Sequence, residues 1–336
     1  MDLSTSYMGL ELANPLLASP SPLTHTVDGV RRLADAGVGA IVLHSLFEEQ
    51  LRGEAEVNAR LVDAGTESFA ESLSYFPSIV EDEPGPRQHL SLVERAVETV
   101  EVPVIASLNC VTPGRWTDYA RALQDVGAAA IELNIYWVAG DPSTPGRDVE
   151  QRYVDVLQRV KDAVTVPVAV KLGPYFSSAA EIALRLDEAG ADALVLFNRF
   201  QQPTIDPETL KVVPRVTLSS PADALLPQSW IALLRGRVQC ALAATSGVEE
   251  PADVVRYLLA GADVVMSTSA LLRHGPEYAM LLLEGLSAWM ARKGFQSLDA
   301  LRGMLAVPPG TDADTYERGG YVTGLRAANL RAYRPW

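Results

Sequence analysis

Four stretches of this chain repeat one design: "AGVGAIVL" at 36–43, "VGAAAIEL" at 126–133, "AGADALVL" at 189–196 and "AGADVVMS" at 260–267. Each follows an amphipathic run such as "EIALRLDE" or "DVVRYLLA". The glycine stops that helix with a left-handed turn. The residues after it are apolar without alternation, as a strand buried on both faces requires. A second type alternates with the first: "VEVPVIASLN" at 100–109 and "VTVPVAVKLG" at 164–173. Here Val-Pro opens the strand, where the missing N–H of proline does little harm. "RVQCALAATSG" at 237–247 fills the same slot without the proline, and "NPLLAS" at 14–19 supplies the first strand. Strands are therefore expected near 15–18, 39–44, 102–108, 129–134, 167–171, 192–197, 238–244 and 263–267. Eight short parallel strands alternating with helices predict an α/β fold, a (β/α)8 TIM barrel. The alternative, an open doubly wound sheet, would usually carry GxGxxG after its first strand, and none is present.

The chain has 336 residues, 48% of them hydrophobic, which suits one barrel domain over 1–336. Two long segments interrupt the repeat, 47–87 after the second strand and 199–226 after the sixth. Both leave the C-terminal end of a barrel strand, where insertions commonly build an active site. The tail, 294–336, reads as helical packing with a loose "VPPGTDAD" loop. The net charge of −14 argues against nucleic acid or anionic lipid as a partner. Cys110 and Cys240 lack CxxC spacing, so neither a disulfide framework nor a structural zinc site is expected. The first residues, "MDLSTSYMGLEL", do not resemble a signal peptide, and no apolar run is long enough to span a membrane. A cytoplasmic location is the expectation.

A barrel keeps its chemistry at the C-terminal mouth. The strand ends there carry Ser19, His44, Ser45, Ser107, Asn109, Glu132, Asn134, Lys171, Asn198, Thr245-Ser246-Gly247 and Ser267-Thr268-Ser269. A Ser or Thr at such a place more often caps a turn than binds a ligand. Lys171 is different, because an unpaired ammonium in a dry mouth is costly. A bound anion or an electron-rich ring explains it better than a carboxylate such as Glu132. "ATSGVEEPADVV" and "STSALLRHGPEY" each run from strand through a small-residue turn into a helix. Exposed N–H groups at two adjacent helix starts can hold one phosphate.

Six motifs in order resemble the dihydroorotate dehydrogenase family of FMN-dependent barrels: "NPLLASPSP", "ELNIYW", "VAVKLGPYF", "FNRFQQPTIDPET", the paired turns "ATSGV" and "STSALLRHGP", and "KGFQSLDALRG". With "HSLFEEQ" after the second strand, the chain is most similar to a dihydroorotate dehydrogenase-like subgroup that lacks the usual Cys or Ser base. The resemblance implies FMN contacts from Ala18, Ser19, Asn109, Asn134, Lys171 and Asn198. It implies phosphate binding at Thr245, Ser246, Gly247 and Val248 and at Thr268, Ser269 and Ala270. Asn134 and Asn198 would also reach the substrate, and Lys171 would face the N1/O2 edge of the flavin.

Three departures shape the expected chemistry. The family's base falls at Trp137, which becomes either an aromatic wall over flavin or substrate or a residue that packs its loop. The family's second-strand lysine falls at His44, and a substrate asparagine falls near Ser72. The leading expectation is an FMN-dependent oxidoreductase acting on a CH–CH bond of a small polar, pyrimidine-like substrate. His44 and Tyr136 are candidate proton carriers beside Lys171, and His44 is equally readable as a neutral hydrogen-bonded imidazole. The alternative is a flavin-binding electron-transfer or scaffold subunit without such turnover. A third reading, weaker than both, is a flavin-free aldolase-like barrel with Lys171 as a Schiff-base amine. An electron acceptor or redox partner and a homodimer are expected by analogy with the family.

Overall fold

The computed structural model describes residues 1–50, 85–109, 116–199, 203–213 and 217–332. Two short strands, β1 (Thr5–Tyr7) and β2 (Leu10–Leu12), come first. The barrel strands follow as β3 (Leu16–Ala18), β4 (Ala40–Phe47), β5 (Val104–Asn109), β6 (Ala130–Asn134), β7 (Val168–Leu172) and β8 (Ala193–Leu196). A separate hairpin, β9 (Thr204–Asp206) and β10 (Lys211–Val213), precedes the last two barrel strands, β11 (Ala241–Ala244) and β12 (Val264–Ser267). The eight barrel strands close on themselves, each parallel to its neighbours, with β12 pairing β3. Each strand expected from the sequence lies within a few residues of its predicted place, and the fold is the (β/α)8 TIM barrel.

The local causes are those read from the repeat. Gly37, Gly127, Gly190 and Gly261 all have left-handed φ, between +82° and +119°. Pro103 and Pro167 stand just before β5 and β7. Each gives its carbonyl to the ladder, accepting from Ile41 and Ile131 at 3.0 and 2.9 Å, so the missing proline N–H leaves no gap. Strands β3 to β8 are buried along their length apart from Phe47 at the end of β4. One apolar cluster fills the space between strands and helices, and a second fills the barrel.

The second cluster holds a feature the sequence reading did not anticipate. The β1–β2 hairpin closes the N-terminal end, sending Tyr7, Met8 and Leu12 in among Leu17, Val42, Ile105 and Met266. Alanines at Ala130, Ala169, Ala193 and Ala243 keep the interior wide enough for the Tyr7 ring, which is 1% exposed. Arg302 donates to Thr5 at 2.6 Å, and Arg235 binds both oxygens of Asp263 at 3.0 and 3.1 Å. These contacts tie the hairpin and the C-terminal segment to the barrel floor. Strand β4 is longer than expected, and its register against β5 shifts between Val42 and Ser45. Most of the 47–87 segment, including Ser72, lies outside the described residues, as does Cys110. The segment 199–226 contains the β9–β10 hairpin, which exposes Ile205, Leu210 and Val212. Helix Ala313–Ala332 lies within the tail. Among the described residues no helix is long and apolar enough to cross a membrane.

The Tyr7 hydroxyl is buried without a hydrogen-bond partner. Such a group costs about 1–3 kcal/mol of desolvation, whereas the ring fills space. We expect Tyr7→Phe to raise the urea midpoint, by about 1 kcal/mol in stability. Tyr7→Ala should lower stability by about 3–5 kcal/mol. A Phe variant less stable than the wild type would show that the hydroxyl is satisfied in solution.

Candidate active site

Four adjacent strands carry a polar row across the mouth. The shift in β4 sets Ser45 opposite Ser107, and the register continues from Ser107 to Glu132. Ser45 and Ser107 share a hydrogen bond of 2.8 Å between hydroxyls. The Ser107 hydroxyl donates to Oε1 of Glu132 at 3.4 Å, and Nζ of Lys171 lies 3.4 Å from the same oxygen. The Lys171 and Glu132 side chains are 8% and 1% exposed. The expectation that Lys171 needs an external anion is therefore corrected. Glu132 supplies the charge, because strands β6 and β7 run side by side with Asn134 level with Lys171. Lys171 nonetheless lines a cavity of about 280 Å³ at the mouth, so it meets a carboxylate and open space together.

Asn134 and Asn198 meet directly, the amide of Asn198 donating to Oδ1 of Asn134 at 2.6 Å. The Asn198 backbone is fixed by its N–H to Leu172 at 2.7 Å. Asn109 ends β5, buried and level with Phe47. Ala18 ends β3, and Ser19 donates its N–H to Ser267 at 3.1 Å, which joins the first mouth loop to the last.

The cavity continues past Asn198 to Thr245, Ser246, Gly247 and Val248, and to Thr268 and Ser269. Ser246 and Gly247 have φ of +82° and +70°, and the buried Tyr257 hydroxyl holds this turn by donating to the Ser246 carbonyl at 2.7 Å. One part of the phosphate expectation is corrected here. The start of helix Pro251–Ala260 is already capped, since Asp253 accepts from the N–H groups of Glu249 and Glu250 at 3.0 and 2.9 Å. Gly247 also has a packing role. A Cβ there would lie 2.6 Å from the Ala224 nitrogen, so a side chain at 247 disturbs the wall whatever the ligand. Ser269 turns its hydroxyl to Ser219, accepting the Ser219 N–H at 2.9 Å, and the buried Ala270 follows it.

What suits a phosphorylated flavin is the turn itself. The hydroxyls of Ser267 and Thr268 are buried and make no hydrogen bond. Both residues line the cavity that also takes in Lys171 and Asn198, the donor of the asparagine pair. Donors without partners, together with a cation and amides, match a ring bearing an anionic tail. Arg199, at the cavity wall, was not singled out from the sequence; its guanidinium donates to the Thr217 carbonyl at 2.7 Å. It lies in an insertion without periodicity, so no sequence signal placed it.

His44 lies apart from this row. The register shift directs Ser45 into it, while the His44 ring lies 4.0 Å from that of His25, tilted by 38°, and meets His89 edge-on at 4.9 Å. Its Nδ1 is 3.3 Å from the Thr24 carbonyl. Burial, then the neighbouring His89 and His25, push its pKa down to about 4. Trp137 packs against helix Gly146–Lys161, with the Arg152 guanidinium 3.6 Å from its ring centre. The same loop is pinned by Tyr153, whose hydroxyl donates to the Ile135 carbonyl at 3.0 Å. Tyr136, half-buried between them, donates its N–H to the Asn134 carbonyl at 3.0 Å.

Comparison with known proteins agrees with this architecture. The sequence profile of the family described as dihydroorotate dehydrogenase matches residues 2–290. The catalytic subunit of dihydroorotate dehydrogenase B (NAD(+)) from Methanothermobacter thermautotrophicus is 29% identical over 320 residues, covering 90% of this chain and 98% of that protein. A putative dihydroorotate dehydrogenase A (fumarate) from Aeropyrum pernix is 29% identical over 307 residues, covering 90% and 97%. The PreA subunit of the NAD-dependent dihydropyrimidine dehydrogenase of Escherichia coli is 25% identical over 334 residues, covering 93% and 79%. With a family match over most of its length and a closed eight-stranded barrel, the chain belongs to the dihydroorotate dehydrogenase family of oxidoreductases.

Proposed function

We propose that the chain is an FMN-dependent oxidoreductase that acts on a CH–CH bond of a small polar, pyrimidine-like substrate. The observation that carries this reading is the single cavity that joins Lys171 and Asn198 to the turns at 245–248 and 268–269. The donor-rich turns suit the FMN phosphate, and Ala18, Ser19 and Asn109 are assigned to the ring by the family resemblance. Bound flavin supplies the hydride acceptor. Lys171 places positive charge at the ring's N1/O2 edge, where negative charge gathers on reduction. Asn134 and Asn198 form a donor–acceptor pair able to read amide and carbonyl groups of a pyrimidine-like ring. The relatives named as catalytic subunits support an electron acceptor outside this chain. The apolar face of the β9–β10 hairpin suits a second copy, in a cytoplasmic homodimer.

The proton needs a carrier. Trp137 cannot take it, because indole nitrogen donates only. A positioned base typically contributes about 10²–10⁴-fold to such a step. His44 is neutral at pH 7, with its pKa near 4, and serves as an acceptor only if the substrate approaches the imidazole stack. Ser72, assigned to the substrate by resemblance, lies outside the described residues. The replacement at Trp137 also favours the second reading, a flavin subunit that passes electrons without oxidising dihydroorotate.

Three outcomes check this. Thr268→Asp puts a negative charge on a side chain of nearly native size at the cavity wall, so flavin occupancy of the purified protein should fall about tenfold through repulsion of the phosphate. Thr268→Val, which is uncharged, should retain most of it. Full occupancy in the Asp variant would misplace the phosphate. On anaerobic mixing with excess dihydroorotate, the flavin band should bleach slowly or not at all, and faster in Trp137→Cys; rapid bleaching by the wild type would refute the assignment at 137.

The pH profile gives the third. Where His44 accepts the proton, it must be unprotonated, and its lowered pKa keeps it so well below the ordinary value of 6.5. Flavin reduction by a productive dihydropyrimidine should then stay level as pH falls and decline only toward about 4. An inflection near 6.5, followed by stopped-flow absorbance, would place the proton on another group.

A further inference from the structure

We infer that Glu132 is a positioning residue that sets how strongly Lys171 favours the reduced flavin. The inference rests on the FMN reading above and adds a control on the ring's redox balance. Glu132 is 1% exposed, and the layer below it in the barrel is hydrocarbon, built from Ala130, Ala169 and Ala193 around Tyr7. Its Oε1 takes both the Lys171 ammonium and the Ser107 hydroxyl, each at 3.4 Å. Its Oε2 has no partner. Burial, then the Glu132 charge, pushes the Tyr7 phenol pKa up, so the phenol stays neutral and adds no second negative charge beside the carboxylate. Lys171 is therefore the cation that answers this carboxylate.

Two consequences follow from Coulomb's law. The ammonium is held at 3.4 Å from Glu132, on the cavity floor, and does not extend freely toward a ring. What the ring's N1/O2 edge meets is then a paired lysine, with net charge near zero and its cation turned to the cavity. A full unpaired charge would stabilise the anionic reduced ring far more. Glu132 moderates Lys171, and Ser107, held in turn by Ser45, fixes the carboxylate in place.

The test uses FMN-loaded protein and sulfite, which adds to bound flavin and leaves negative charge at the N1/O2 edge. Sulfite affinity is read from loss of the flavin band. We expect Glu132→Gln to tighten sulfite binding about tenfold, or ~1.4 kcal/mol. Glu132→Asp, whose carboxylate is withdrawn by one methylene, should tighten it less and covers the case in which the Gln variant does not fold. Lys171→Ala should weaken it. In the Lys171→Ala background, Glu132→Gln should have no further tightening effect, because Glu132 acts through the lysine. Unchanged affinity in both Glu132 variants while Lys171→Ala shifts it would overturn the inference. So would the same tightening with and without Lys171, since Glu132 would then act directly on the ring. A wild-type protein that binds no FMN on ultrafiltration would instead fail the flavin reading, and with it this one.

Discussion

Closure of the barrel depends on the pairing of β12 with β3, Val265 with Leu16 through Ser267 with Ala18, which joins the last barrel strand to the first. These two segments lie almost 250 residues apart in a chain of 336, so the contact closes a long loop and is entropically costly to form. The apolar interior offsets that cost only if the barrel is full. Inward alanines on β6, β7, β8 and β11 are too small to fill it, and the N-terminal hairpin supplies the missing volume with Tyr7. The hairpin is in turn held by Arg302, from the far end of the chain. One consequence appears at the opposite face. The bond from Ser19 to Ser267 brings the loop after β3 against the turn after β12, which sets the 268–269 turn of the cavity beside the first strand.

The same closed sheet explains why the polar row at the mouth is so exposed to energetic conflict. Inward side chains on β4 to β7 leave water at the level of Ser45, Ser107, Glu132 and Lys171. A buried ion pair contributes little net stability, because desolvation of both charges offsets their attraction. Well-packed apolar residues would do as well there for folding alone. Lys171 and Glu132 thus make sense as parts of a site, with the hydroxyl row as the device that holds the carboxylate still. The asparagine pair one step nearer the mouth follows the same rule, the Asn198 amide donating to Oδ1 of Asn134 at 2.6 Å.

Much of this was legible in the sequence, and the failures have physical causes. The eight strands were readable because each repeat couples a helix-stopping glycine to a doubly buried strand. The β1–β2 hairpin was not, since strands of three residues carry too little periodicity to register. Lys171, its need for a partner and Glu132 as one candidate were visible, but Glu132 stands 39 positions away and only strand register decides for it over an external anion. His44 and Ser45 were both read into the mouth row; the register shift after Val42 puts Ser45 in it and leaves His44 against His25 and His89. The helix start at Pro251 looked open to an anion because Asp253, in "EEPAD", reads equally as a surface charge. In the structure it caps that helix itself.

Trp137 shows how far fold and chemistry can separate within one motif. The strand that precedes it is intact, with Glu132 and Asn134 both directed to the mouth. Immediately after Asn134 the chain leaves the barrel, and Ile135 is fixed by Tyr153 while Trp137 lies under Arg152. A guanidinium over an indole face is an attractive contact, so the loop gains packing where the family's small proton-transfer residue would need freedom to face the substrate. Tyr153 and Arg152 are successive residues of one helix, and between them they pin the loop at Ile135 and at Trp137. With the position of the family's base filled by a packed Trp137, the chemistry of this member must follow the site that remains: a lysine paired with a carboxylate, an asparagine pair and a donor-lined turn.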